Sequence, residues 1–191
     1  MKRLLPAAML CTLLLTMLCI APADAAEEAG VTLPDTVQVG DDTLVLNGIA
    51  LREKFVFDVY VAGLYLKEKS SNPEVILQQD APRMMVMHFV RDVDAKAINE
   101  AWLEGLEANV QDVTPQLREK FGQLAAMMTD IKDGQEMGFT YAPATGTDVM
   151  VAGQPRGGIP GKDFADAILA TWIGPKPGPG KSFKKHILGG K

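Results

Sequence analysis

Two residues beside one apolar segment have side chains that could do chemistry. Arg52 lies just before the apolar segment Phe55–Leu66, and Tyr60 lies within it. A cation held beside an apolar strand needs an anionic or strongly polar partner, because an unpaired buried charge is costly. A guanidinium stays charged and offers a fork that matches a carboxylate or an enolate, and the Tyr60 hydroxyl could add a hydrogen bond. Alternatively, Arg52 is a surface residue or pairs with Asp58 or Glu53, and Tyr60 is a core tyrosine.

A run of methionines that ends in a histidine raises the question of a metal site. Clusters of methionine and histidine suit copper. On a strand, however, Met85 and Met87 would face one way, while Met84 and His88 would face the other. This spacing favours a methionine-rich core strand with one hydrogen-bonded histidine. Copper or haem ligation by His88 is the alternative.

Composition and motifs exclude several classes of protein. The sequence has no P-loop, no GxGxxG after a strand, no HExxH and no GxSxG. With 19 Lys and Arg against 24 Asp and Glu, the chain lacks the basic balance that binding to nucleic acid requires. Two histidines do not support a conventional zinc site. We therefore predict no cofactor, no metal ligand and no nucleic-acid partner.

The first 25 residues have the pattern of a secretory signal peptide: a basic start, the apolar run Leu4–Ile20 and a small-residue site that ends at Ala25. A retained anchor helix is the alternative, but the apolar run is shorter than the ~20 residues of a typical span. Cleavage after Ala25 would remove Cys11 and Cys19 and leave no second long apolar run. We expect a periplasmic or secreted protein with no stable membrane span.

Several elements must position the candidate residues. Residues 26–42 are expected to form an arm, and 43–191 a single domain. Gly63, within the predicted strand at 55–66, indicates a bulge or a place where another part of the backbone approaches closely. Strands followed by helices, a hairpin and a helix favour an α+β fold with an antiparallel sheet. Apolar spacing predicts strands at 43–47, 55–66, 83–90, 137–142 and 148–152, helices capped by Asn72, Asp94, Thr114 and Asp163, and a basic tail over 181–191.

Three ordered motifs resemble the chalcone isomerase-like family, in particular its exported bacterial members. They are LNGIALR over 46–52, FVFDVYVAGLYL over 55–66 and FADAILATWIG over 164–174. The resemblance extends over about 31–189. It implies an open-faced β-sandwich, in which helices pack on one layer of a curved antiparallel sheet and a ligand cleft lies between them.

The resemblance also implies roles for individual residues. The catalytic arginine of the family falls on Arg52, and a late specificity position falls on Thr171. The strand threonine of true isomerases is replaced by Tyr60, as in the fatty-acid-binding branch. The helix tyrosine and asparagine of the isomerases fall on Asp94 and Ala101.

The chain therefore has the arginine that positions a ligand, Arg52, but lacks the side chains that polarise a ketone. It predicts a non-catalytic binder of a small apolar or amphipathic anion, such as a fatty acid, held by Arg52, Tyr60 and Thr171. If the protein is an enzyme, Arg52 and Thr171 would serve an intramolecular lyase or isomerase acting on an enone. A haem or copper protein and a protein-interaction module are further alternatives. The oligomeric state is left open.

Overall fold

A computed structural model describes residues 25–190. Met1–Asp24, which hold nearly all of the predicted signal peptide, and Lys191 lie outside the described residues. The strands are β1 (Ala25–Glu28), β2 (Val31–Pro34), β3 (Thr36–Val39), β4 (Asp42–Lys54), β5 (Phe57–Leu66), β6 (Arg83–Phe89), β7 (Glu136–Ala142), β8 (Gly146–Val151) and β9 (Gln154–Ile159). The helices are α1 (Pro73–Gln78), α2 (Ala95–Asn109), α3 (Pro115–Met127), α4 (Lys162–Ile173) and α5 (Lys181–Ile187).

Strands β3 to β9 form one curved antiparallel sheet of seven strands, in which each strand pairs with its neighbours in the sequence. Strands β1 and β2 form a separate hairpin. The α+β class and the antiparallel sheet predicted from the sequence are confirmed. Within the described residues, no helix is both long enough and apolar enough to cross a membrane.

The two faces of the sheet are covered differently. Residues of α2, α3, α4 and α5 pack on one face and form the larger core, while the β1–β2 hairpin packs on the other. Strand β5 contributes to both cores: Tyr60 and Leu64 point towards the helices, and Val61 and Tyr65 point towards the hairpin. Strand β5 is therefore covered on both sides.

Two glycines allow close packing against the sheet. A Cβ atom on Gly63 would lie 2.7 Å from Leu33 Cδ1, so Gly63 marks a close approach of the hairpin and not a bulge. A Cβ atom on Gly48 would lie 2.3 Å from the His186 carbonyl oxygen of α5. Strand β4 continues through Gly48 to Lys54, although the sequence predicted that the strand would end there, and Arg52 therefore lies within the strand.

The ends of the chain contain more regular structure than predicted. Residues 26–42, expected as an arm, contribute to β1, β2 and β3, and β3 extends the main sheet. The predicted basic tail contains α5, whose Phe183 and Ile187 are buried one helical turn apart. Strand β9 was missed, because five of its six residues are exposed and show no apolar alternation.

The predicted helix starts hold at three of four positions. Asn72, Asp94 and Thr114 accept hydrogen bonds from backbone N–H groups of the first turns of α1, α2 and α3. The prediction that Asp163 caps α4 was wrong: Gly161 occupies the N-cap position, and Asp163 lies in the first turn. Asp163 instead pairs with Lys120 at 2.6 Å, which ties α4 to α3.

Candidate ligand-binding cleft

Arg52 and Tyr60 are brought together by strand pairing. They are cross-strand partners in the β4–β5 ladder, so both side chains face the helix layer. The guanidinium carbon of Arg52 lies 5.8 Å from the centroid of the Tyr60 ring, within the range of a cation–π contact. Arg52 is half-buried, and within residues 25–190 it forms no ion pair with Asp58 or Glu53. The charge of Arg52 is therefore not neutralised by Asp58 or by Glu53.

The Tyr60 hydroxyl is buried and keeps a proton that it can donate. Its oxygen accepts a hydrogen bond of 2.9 Å from Trp172 Nε1 on α4. Among the described residues it donates to no acceptor. Burial raises the pKa of Tyr60 above its ordinary value of 10, while the nearby positive charge of Arg52 acts in the opposite direction. The phenol is therefore neutral around pH 7 and presents an O–H donor beside a guanidinium.

Two small cavities open beside these groups. The first has a volume of about 180 Å³, and Arg52, Tyr60, Trp102 and Thr171 are among its lining residues. The second, of about 80 Å³, shares Arg52, Tyr60 and Trp102 with the first and continues along the sheet towards Lys54. We call the two together the Arg52 cleft. It lies between the sheet and the helices, where the family resemblance places a ligand.

Thr171 lies in the cleft, but its hydroxyl hydrogen is already used. The hydroxyl donates to the Ile168 carbonyl oxygen of its own helix at 2.7 Å. A Cβ atom on Gly105 would lie 2.8 Å from Thr171 Cβ and Cγ2, so α2 and α4 come unusually close at this point. Thr171 can offer a ligand an apolar wall and an acceptor oxygen, but in this arrangement it offers no donor.

The two helix positions of the isomerases carry no equivalent chemistry here. Ala101 lines both cavities with a methyl group. Asp94 accepts a hydrogen bond of 2.7 Å from Ala97 N and begins α2. It is not among the lining residues of the Arg52 cleft. The cleft has no residue at these two positions that could polarise a ketone.

Sequence reasoning missed two further features of the cleft. Trp102 and Trp172 both line the first cavity, and their rings lie 5.2 Å apart. The Trp102 indole N–H is buried and has no hydrogen-bond partner among residues 25–190. At the rim of this cavity, Glu104 and Lys176 carry opposite charges. Helical spacing identifies buried tryptophans but does not show that a cavity lies beside them.

His88 lies on the other side of the sheet. Its neighbours Met87 and Phe89 line the Arg52 cleft, and strand alternation directs His88 away from it. His88 Nδ1 is 3.4 Å from Glu136 Oε1 on the adjacent strand. Within residues 25–190, no group of three or more His, Cys, Asp or Glu side chains is arranged to hold a metal ion. A group held by His88 would not occupy the cleft.

A larger cavity lies elsewhere, in a groove of about 640 Å³ between α2 and α3. Its apolar walls include Leu103 and Phe121, and its charged residues Lys96 and Arg118 are exposed to solvent. Trp102 separates this groove from the Arg52 cleft, because its side chain lines both. The groove is larger, but of these two sites only the cleft combines a half-buried cation with a buried hydroxyl donor.

Comparison with known proteins places the chain in a family. Residues 25–189 match the sequence model described as chalcone isomerase-like. The chain belongs to this family. Among solved structures it is similar to the crystal structure of a fatty-acid binding protein from Arabidopsis thaliana, with a TM-score of 0.68 and 18% sequence identity over 86% of this chain and 96% of that chain. A search of curated protein sequences finds no match.

These matches establish the fold that the resemblance implied. The sheet with helices packed on one layer is the chalcone isomerase-like arrangement, and the predicted family and fold class are confirmed. At 18% identity, the structural match speaks for the fold alone. The roles of Arg52, Tyr60 and Thr171 remain predictions that rest on the geometry of the cleft.

Proposed function

We propose that the protein binds a small apolar or amphipathic acid in the Arg52 cleft without catalysing isomerisation. The observation that carries this proposal is the pairing of two donors on adjacent strands: the Arg52 guanidinium, which has no acidic partner among the described residues, and the buried Tyr60 hydroxyl, which donates to no acceptor there. A carboxylate accepts from both groups and balances the charge. Hydrogen bonds to a charged group contribute about 1.5–3 kcal/mol each. The structural similarity to a fatty-acid binding protein supports the same conclusion.

The size of the cleft narrows the class of acid. An engineered apolar cavity of ~150 Å³ binds benzene, and the first cavity measures about 180 Å³. This volume suits a short aliphatic or an aromatic acid. A longer acyl chain would need the second cavity as well, or a movement of Trp102 towards the α2–α3 groove.

The isomerase alternative receives less support from the geometry. Ring closure of an enone needs groups that stabilise charge developing on the ketone oxygen. In this chain Ala101 and Asp94 occupy the two helix positions, and the Thr171 hydroxyl donates to its own helix. Flavanone formation from chalcone well above the buffer rate, lost in Arg52→Met, would favour the enzyme after all.

We also propose that the protein is exported and processed after Ala25. The signal-peptide pattern of residues 1–25 supports this proposal. N-terminal sequencing of the protein recovered from the periplasm or the medium should begin at Ala26. Recovery of the unprocessed chain from the cytoplasm would contradict it.

Titration calorimetry with octanoate and benzoate tests the binding proposal. We expect Arg52→Met to weaken binding of either acid by about 10- to 100-fold, while octanol, which has no charge, binds both proteins alike. Arg156→Met is the matched control, since Arg156 is an exposed arginine on β9 that donates to Thr129. Equal binding of the acids by wild type and Arg52→Met would overturn the proposal.

A further inference from the structure

The hairpin that joins β4 and β5 exposes three consecutive apolar side chains. Phe55, Val56 and Phe57 are 91%, 85% and 54% exposed. Single exposed apolar residues are ordinary, but contiguous apolar patches mark interaction sites. We call Phe55–Phe57 the hairpin tip.

The backbone holds the tip outward despite an unfavourable conformation. Lys54 pairs with Phe57, so Phe55 and Val56 form a two-residue turn. Phe55 has φ of 60°, a value that such turns usually assign to glycine or asparagine. A bulky residue at positive φ is an outlier, and strain of this kind is concentrated at functional sites. A turn selected only for stability would have a small residue at position 55, whereas this chain has its most exposed phenylalanine there.

The tip lies close to the second cavity of the Arg52 cleft. Arg52 precedes the turn by three residues, which places it roughly 10 Å along the strand. Lys54, at the base of the turn, lines the second cavity together with Arg52. Whatever covers the tip therefore lies next to the second cavity of the cleft.

The charges around the tip cancel. Lys54 and Arg91 are balanced by Glu53 and Asp58, all of them exposed. The guanidinium carbon of Arg91 lies 4.6 Å from the centroid of the Phe57 ring, and Asp92 pairs with Lys132. The affinity of the tip must therefore come from its apolar surface.

We propose that the hairpin tip inserts into the interfacial region of a lipid bilayer and places the Arg52 cleft against the membrane surface. Two phenylalanines and a valine at these exposures can bury on the order of 400 Å², whereas a stable protein partner needs about 800 Å² per side. A narrow convex turn suits a fluid surface, and the Lys54 and Arg91 side chains can extend to the headgroups. Uptake of an acid directly from the bilayer follows from this placement and rests on the proposed function, whereas insertion itself does not.

Flotation with phosphatidylcholine vesicles tests insertion, using protein purified from expressing cells with the N-terminus that those cells leave. We expect wild type to float with vesicles and the double variant Phe55→Ser/Val56→Ser to lose at least 10-fold in bound fraction, with little dependence on salt. Both proteins carry the same N-terminus, so the difference isolates the tip. Val75→Ser is the matched control, because Val75 is an exposed apolar residue (40%) on α1.

A second variant reports the position of the tip directly. In Phe55→Trp the new indole should shift its emission to the blue on addition of vesicles and be quenched by lipids brominated in the acyl chains, whereas Val75→Trp should show neither effect. The inference would be overturned if wild type failed to float, which is the result expected if the tip binds a protein partner. It would also be overturned if Phe55→Ser/Val56→Ser floated as well as wild type. Arg52→Met should float like wild type, so loss of acid binding and loss of insertion can be told apart.

Discussion

Tyr60 and Tyr65 lie on the same strand, five residues apart, and point to opposite faces of the sheet. The Tyr65 hydroxyl donates to the Pro34 carbonyl oxygen at 2.9 Å and closes the hairpin against the sheet. The Tyr60 hydroxyl accepts from Trp172 and keeps its own proton for a ligand. The hairpin face is closely packed, whereas the helix face contains the Arg52 cleft. One strand thus contributes a structural contact on one side and a candidate binding group on the other.

Replacement of Trp102 by alanine should have the largest effect on the helix face. Loss of a large buried aromatic side chain costs about 3–5 kcal/mol of unfolding free energy. The same change should join the Arg52 cleft to the α2–α3 groove, because Trp102 lines both. We expect longer acids to gain affinity relative to octanoate, as measured by calorimetry alongside chemical denaturation. Leu33→Ala on the hairpin face is the control: it should lower stability and leave the chain-length preference unchanged.

Alanine at Gly63 and at Gly105, each of which closely approaches a neighbouring side chain, should give the next largest effect. Gly63→Ala places a methyl group against Leu33, and Gly105→Ala places one against Thr171. Overpacking of this kind costs about 1–3 kcal/mol, measurable by urea denaturation. Only Gly105→Ala should also weaken acid binding, because it displaces a wall of the cleft. Equal loss of binding in both variants would show that the two faces are coupled.

Phenylalanine at the two tyrosines gives a more closely matched pair. Each change removes one hydroxyl and leaves a backbone or indole partner without its hydrogen bond, at a cost of about 1 kcal/mol. Tyr60→Phe should also weaken octanoate binding by about 10- to 100-fold, whereas Tyr65→Phe should bind normally. A normal affinity in Tyr60→Phe would remove the hydroxyl from the proposed site.

Alkaline pH should lower the free energy of unfolding by a smaller amount, because the buried Tyr65 then loses its proton. Burial, with Asp35 and Glu136 nearby, raises the pKa of Tyr65 to about 12. The folded state therefore holds this proton more tightly than the unfolded state, whose tyrosines titrate near 10. The stabilisation is complete below pH 10 and is lost as the pH rises towards 12. In denaturation series across this range, Tyr65→Phe should flatten the decline.

Local signals made much of the fold predictable. Asn72 and Thr114 precede prolines at the starts of α1 and α3, and their caps form through bonds to nearby N–H groups. Strand β5 was evident from its apolar residues on both faces. Strand β9 and the start of α4 at Gly161 were not predictable in this way, because an exposed edge strand carries no alternation and a glycine cap has no side chain to recognise.

The candidate site was only partly accessible from the sequence. Arg52 and Tyr60 were proposed from their residue types and positions, Thr171 by resemblance, and the structure brings all three to one cavity. The bond from Trp172 to Tyr60 joins residues 112 positions apart. Its existence depends on how α4 packs on the sheet, which no local pattern encodes. The used hydroxyl of Thr171 likewise follows from the rotamer that it adopts in α4.

The anchoring of α5 on β4 bears on the order in which the molecule assembles. Each strand of the main sheet pairs with its sequence neighbour, so successive hairpins can form over short stretches of chain. The Asn47 side chain, in contrast, donates to the Ile187 carbonyl oxygen across 140 positions. Closing so long a loop is entropically costly until the sheet already exists. We therefore expect docking of α5 to be a late folding event, with the Gly48 backbone left open to solvent until it occurs.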